Sequence, residues 1–338
     1  MAIIPFRSVD RLQAPPVLTA RSAERGRWLS RDESIMGTAI HVELWCDDPR
    51  DGEAAVAVVM QEVHRIDATM SPYKAASELS RINRDAADAP VPVSGEMFAL
   101  LDRASKFSAW SDGAFDITYA AVGQLYDYRH GVVPDAAAVE RARAAVGWQH
   151  LVLDSTNRTV RFARPGMRID LGGFAKGYAV DNCVALLRKC GIHHAIVSAG
   201  GDSHVLGDRR GRPWTVAVRD PRGAGVVALL PLVDTAISTS GDYERYVERE
   251  GVRHHHLIDP RTGVSPRELR SVTILAADGL TTEGVSKSVF VSGLDKGMRL
   301  VESLPGVDAV IVDADGQLHY SSGLLHGSAR PAAGGARQ

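Results

Sequence analysis

Residues 167–206 read MRIDLGGFAKGYAVDNCVALLRKCGIHHAIVSAGGDSHVL. The pattern is a strand, a glycine turn at Gly172 and Gly173, a long helix, and two strands joined at Gly200 and Gly201. Gly191 supplies the stop at the end of the helix. Further hairpin signals lie on either side. LVLDSTNRTVRF (151–162) turns near Thr156 and Asn157, and WTVAVRD (214–220), the stretches 226–232 and 236–239, SVTILAA (271–277), DAVIVDA (308–314) and QLHYSS (317–322) read as strands. Hairpins outnumber clean crossovers. The expected fold class is therefore α+β, a mixed architecture of largely antiparallel sheets flanked by helices, and not a doubly wound sheet.

The N-terminal half fits the same class. IMGTAIHVELWC (35–46) alternates as a strand through Val42 and Leu44, and GEAAVAVVMQEVHRIDATM (52–70) carries apolar residues at helical spacing. Ser77 and Ser94 each stand where a helix N-cap belongs. One domain is expected over 31–325, with loosely ordered flanks at 1–30 and 326–338.

With 338 residues, 45% of them apolar, 24% charged and a net charge of -2, the composition is that of a soluble globular protein. It has no basic block with interleaved aromatics, which argues against a nucleic-acid partner. No run approaches the roughly 20 apolar residues of a membrane span. The N-terminus is interrupted by Pro5, Asp10, Pro15 and Pro16 and does not read as a signal peptide, so the chain as given reads as cytoplasmic. The three cysteines, Cys46, Cys183 and Cys190, have no metal-type spacing.

Chemistry can sit at several turns. In DLGGFAKG (170–177) a double glycine opens a helix, where unpaired N–H groups can meet an anion and backbone can approach a ligand closely. Lys176 falls in the first turn, where a cation opposes the helix dipole; a phosphate between them would resolve that conflict. The spacing is GGxxxG, which is not the dinucleotide fingerprint, and a plain tight turn with a solvated lysine stays open. SAGGD (198–202) and TSGDY (239–243) are further strand-end turns. In HHHLIDPRTG (254–263) successive histidines point to opposite faces, so at most two could share a ligand, which argues against a histidine-bound zinc. One of them could act on a proton or a phosphate. In GLTTEGVSKSVFVSG (279–293), Glu283 and Lys287 share a helix face four residues apart, by itself the pattern of a surface ion pair.

In order, MGT (36–38), SPYKAASELSRIN (71–83), GAFD (113–116), DLGGFAKGYAVD (170–181), SAGGD (198–202), ISTSGDYERY (237–246) and HHLIDPRTG (255–263) resemble the flavin transferase, ApbE-like, family of FAD:protein FMN transferases. The resemblance implies FAD as substrate and magnesium as metal. It implies transfer of FMN to a serine or threonine hydroxyl of an acceptor flavoprotein, with release of AMP. It assigns Met36, Tyr73, Ala114, Phe115 and Asp116 to the flavin or adenosine parts of FAD, Asp170 to a polar group of the cofactor, and Lys176 to the region of its phosphates. Gly173 would offer its carbonyl to the metal, His256 would move a proton or contact phosphate, and Ile258 would lie beside the cofactor.

One segment departs from the family pattern. Where the family carries an aspartate and, four residues on, a threonine or similar metal ligand, this chain has Glu283 and Lys287. Glutamate is still an oxygen ligand, but a protonated lysine cannot ligate. An altered metal site is therefore expected. Lys287 would replace the cation, turn outward beside a weakened site, or serve catalysis. Alternatives to FMN transfer are a flavin- or nucleotide-binding homologue without it, or a different group transfer in the same cleft.

Overall fold

Met36 and Gly37 both have positive φ, 55° and 68°, as a two-residue hairpin turn requires. They join β1 (Arg27–Ile35) to β2 (Thr38–Cys46), with Ile35 opposite Thr38. The computed structural model describes residues 26–325. Residues 1–25 and 326–338, expected to be loosely ordered, lie outside the described residues. Residues 27–30, expected in the first of these flanks, instead open β1, because their backbone pairs with the end of β2.

Chain order then runs through α1 (Pro49–Met70), α2 (Glu78–Asp85), β3 (Val91–Pro92), α3 (Gly95–Trp110), α4 (Ala120–Gly123) and α5 (Ala136–Arg143). The hairpin β4 (Leu151–Asp154) and β5 (Thr159–Phe162) leads to α6 (Ala175–Lys189), β6 (Ala195–Ala199) and β7 (Asp202–Leu206). Next come β8 (Trp214–Arg219), β9 (Val226–Leu232), β10 (Ala236–Gly241), β11 (Tyr246–Arg249), β12 (Val252–His255) and β13 (Leu269–Ala276). The order ends with α7 (Gly279–Ser292), α8 (Leu294–Ser303), β14 (Asp308–Asp313), β15 (Leu318–Tyr320) and α9 (Ser322–Leu325).

The main sheet has eight strands in the order β1-β2-β6-β7-β10-β13-β14-β15. All of its pairings are antiparallel, which bears out the expected class. Local signals hold where the backbone satisfies itself. Ser77 and Ser94 accept the N–H groups of Ser80 and Met97 as caps. Gly191 closes α6 with φ 76°, and the Ile192 N–H reaches back to the Leu187 carbonyl.

The expected strand before the glycine turn is absent. The Asn83 side chain accepts the Ile169 N–H at 2.8 Å and donates to the Ile169 carbonyl at 2.9 Å, while the Asp170 N–H goes to the Ile117 carbonyl. A side chain thus supplies what a neighbouring strand would have supplied, and residues 167–171 stay irregular.

One core cluster carries α2, α3 and the inner faces of α6 and α7; a second packs α1 and α6 against β2 and β6. The rings of Phe107, Phe115 and Phe174 meet at 5.3–5.9 Å between centroids and anchor the glycine turn from below. Helices α6 and α7 cross with their backbones almost touching. A Cβ on Gly177 would stand 2.2 Å from the Gly279 carbonyl oxygen, which backbone cannot yield cheaply. Gly177→Ala is expected to lower stability by about 1–3 kcal/mol, as overpacking does. A melting temperature equal to the parent's would mean that the helices separate freely here.

Candidate functional site

The crossing of α6 and α7 brings two helix N-termini into mutual support. Helix α6 has Phe174 at its N-cap and no side-chain cap there. Its Gly177 N–H donates instead to Glu283 Oε2 on α7, at 2.7 Å. In return, Asp181 on α6 accepts the Gly279 and Leu280 N–H groups at the start of α7, at 2.7 and 3.0 Å. Each helix gives the other the carboxylate that its dipole favours. The anion expected at the start of α6 is therefore supplied, at Gly177, by the chain itself.

Glu283 is the hub of a buried charge cluster. Its side chain is 0% exposed, and Oε1 accepts from Lys176 Nζ at 2.8 Å and from Lys287 Nζ at 3.2 Å. The Lys176 ammonium also pairs with Asp202 at the start of β7, whose other oxygen accepts from the Ser238 hydroxyl. Ser286 links Ser238 and Ser240 into the same network. Glu283 and Lys287 are thus not a surface pair: only 15% of the Lys287 side chain is exposed. Helix α7 is small or apolar on nearly every side, and a helix of that kind belongs in an interior.

Burial works against the Lys176 ammonium, but Asp202 and Glu283 more than offset it and hold its pKa above the ordinary lysine value. Burial also pushes Asp202 up, and Lys176 and then Lys287 bring it below the usual carboxylate range. For Lys287 burial wins, and its pKa falls despite Glu283 and Asp202. Its stem runs beside the glycine turn: a Cβ on Gly173 would lie 3.6 Å from Lys287 Cε.

His256 lies within electrostatic reach of Lys287. Burial, reinforced by His255, Arg245 and Lys287, pushes its imidazole down to about 3, so it is neutral at pH 7. Its Nδ1 is buried with no hydrogen-bond partner among the described residues. His255 points elsewhere, with Nε2 on the Pro266 carbonyl at 2.8 Å and its ring against Phe290. An unfolded histidine titrates near 6.5, so the stability contributed by keeping His256 neutral is complete above that pH and is lost as pH falls towards 3. Acidification from pH 7 to about pH 5.5 is expected to remove about 1 kcal/mol through this residue. Urea denaturation at the two pH values measures it, and His256→Gln should abolish that share. An identical pH slope in parent and variant would contradict the assignment.

Asp170 lies at the other end of the turn. Burial raises its pKa, against the Gly172 N–H, Arg168 and Arg245. The same Arg245 donates to the Gly37 carbonyl at 3.2 Å and so ties the β1–β2 turn, with Met36, to this rim. Its own carbonyl accepts the His256 N–H at 3.0 Å. Tyr119, whose phenol burial pushes up, feels Asp170, Tyr128, Tyr73 and Arg245. Gly173, Lys176, Glu283 and Lys287 thus belong to one cluster, and Arg245 connects His256, Asp170 and the Met36–Gly37 turn beside it.

The remaining expected residues are engaged differently. Tyr73 is 91% exposed. Ala114 and Phe115 are buried, the ring of Phe115 inside the aromatic cluster. Asp116 accepts the Thr118 N–H and hydroxyl and the Trp148 N–H, so its carboxylate caps local backbone. Ile258 packs with Val122, Tyr126 and Val139. The residues that sequence reasoning passed over are Arg245, Asp202 and the serines at 238, 240 and 286. Asp202 had a signal, a carboxylate directly after a glycine turn; Arg245 had none.

A model of the ApbE family matches residues 36–311. The FAD:protein FMN transferase of Treponema pallidum is 32% identical over 321 residues, 89% of this chain and 89% of that protein. That of Klebsiella pneumoniae is 32% identical over 293 residues, 85% and 90% of the two chains. Among solved structures, the ApbE protein of Thermotoga maritima superposes with a TM-score of 0.82 at 32% identity, covering 89% of this chain and 99% of that one. The flavin transferase ApbE of Vibrio cholerae gives 0.80 at 27%, with the same coverage.

Proposed function

The chain belongs to the ApbE family, and on that premise we propose that it transfers FMN from FAD to a serine or threonine hydroxyl of an acceptor protein. The acceptor oxygen bonds to the phosphorus of the FMN half, the bond from that phosphorus to the bridging oxygen breaks, and AMP leaves with that oxygen. The hydroxyl proton needs a base and the pyrophosphate needs positive charge.

One observation carries this reading: the His256 imidazole has a buried Nδ1 with no hydrogen-bond partner among the described residues, within electrostatic reach of a buried lysine, Lys287, whose stem passes Gly173. The imidazole is unprotonated before substrate binds. A pyrophosphate beside it would raise its proton affinity at the step where it must accept the hydroxyl proton. Met36, Tyr73 and Asp170 would hold the flavin or adenosine ends, as the resemblance implies. Arg245 adds a cation that steers the anionic substrate.

The magnesium that the resemblance implies does not fit these residues. Glu283 already gives Oε1 to two ammonium groups and Oε2 to a backbone N–H. Asp202 is bound to Lys176 and Ser238. Magnesium needs near-octahedral oxygen contacts at about 2.0–2.1 Å, and Lys287 stands beside the carbonyl-bearing Gly173 that would have to supply one.

The test is incubation with FAD and an acceptor protein bearing an exposed serine or threonine, with AMP and covalently bound flavin as readouts. Equimolar AMP and flavin-labelled acceptor are expected. No AMP and no labelled acceptor, with and without magnesium, would overturn the proposal.

A further inference from the structure

We propose that the Lys287 ammonium stands in for a divalent cation, so that the cleft binds a pyrophosphate-bearing nucleotide without metal. This rests on the flavin-transferase reading for the identity of the nucleotide, but the charge argument is independent of it.

Two ammonium groups, Lys176 and Lys287, face two carboxylates, Asp202 and Glu283, all four largely withdrawn from water. The cluster is balanced as it stands. A site that attracts a dication has surplus negative charge, and removing Lys287 would create it. Seating a dication with Lys287 present would add two positive charges beside two ammonium groups and would require Glu283 to release both of its lysine partners. The pair also differs in freedom. Lys176 is clamped between Asp202 and Glu283, whereas Lys287 donates to Glu283 alone among the described residues. An ammonium carries three N–H groups. Lys287 therefore keeps donors for a phosphate oxygen, next to Gly173, while Lys176 holds the second carboxylate neutralised.

Two other groups near Lys287 are held by other partners. The Arg245 guanidinium donates to the Gly37 carbonyl and acts on Asp170 as well as His256, and the Gly177 N–H is committed to Glu283. The substitution of a fixed side-chain charge for a bound ion has a measurable consequence: affinity for the pyrophosphate ceases to depend on free magnesium.

Isothermal titration calorimetry with FAD, and with ADP as a flavin-free probe, decides the matter. The parent protein is expected to bind both equally well in EDTA and in magnesium. Lys287→Thr is expected to weaken binding in EDTA about tenfold or more, and Lys287→Thr combined with Glu283→Asp to regain it on addition of magnesium. Binding by the parent only in the presence of magnesium would overturn the inference. So would a folded Lys287→Thr variant that binds unchanged in EDTA. The parent measurement stands even if the variants fail to fold. EDTA-resistant binding without AMP release would support the lysine assignment and remove the transferase reading. AMP release with strictly magnesium-dependent binding would do the reverse.

Discussion

Glu283→Gln is expected to cost the fold about 3–5 kcal/mol, the loss seen when one member of a buried ionic group is removed. The variant keeps nearly the same shape and can still accept the Gly177 N–H. What it loses is charge. Lys176 and Lys287 then share a single carboxylate, Asp202, in a site from which water is mostly excluded. Adding Lys287→Met to Glu283→Gln removes the excess ammonium. The double variant is therefore expected to be more stable than Glu283→Gln alone, and by more than any gain that Lys287→Met gives in the parent; that difference is the coupling. Chemical denaturation of the four proteins of the cycle measures it. A Glu283→Gln loss below about 1 kcal/mol, within the range of exposed pairs, would refute the buried-cluster account.

The second large effect concerns His256. His256→Ala is expected to lower the rate of AMP release about 10²–10⁴-fold, the usual contribution of a positioned base, with FAD affinity largely retained. The separation matters because a residue needed only for packing would weaken binding, stability and rate together. Rate measured at saturating FAD, with affinity measured independently, distinguishes the two. If the fall lies wholly in affinity, His256 is a phosphate contact and another group takes the proton.

Much of this architecture was legible locally. The serine caps at 77 and 94, the 151–162 hairpin and the Gly191 stop are each fixed by residues within a few positions of one another, and each forms as read; the strand read over 35–46 forms only from Thr38, because Met36 and Gly37 turn the chain back onto β1. What escaped the sequence depends on partners far along the chain. Residues 167–170 fail to make a strand because Asn83 takes over the Ile169 backbone. Glu283 and Lys287 have the spacing of a solvated pair, and only the apolar run around them hints that water is absent. Asp116 looks like a ligand-facing carboxylate but is spent on Thr118 and Trp148. Arg245 acquires its role through a turn formed more than 200 residues earlier.

The reciprocal bonds between α6 and α7 also set a timetable. Gly177 and Glu283 are separated by 106 residues, and Asp181 and Gly279 by 98. At a synthesis rate of about 5–20 residues per second, the first half of the cleft exists for roughly 5–20 s before its completing carboxylate has been made. Once Asp202 has been made, 26 residues after Lys176, the two have each other but not Glu283. A growing chain therefore cannot capture its nucleotide early and use it as a folding template. Loading must wait until the α7 segment has been synthesised and has docked, which leaves the ligand to lock a finished fold.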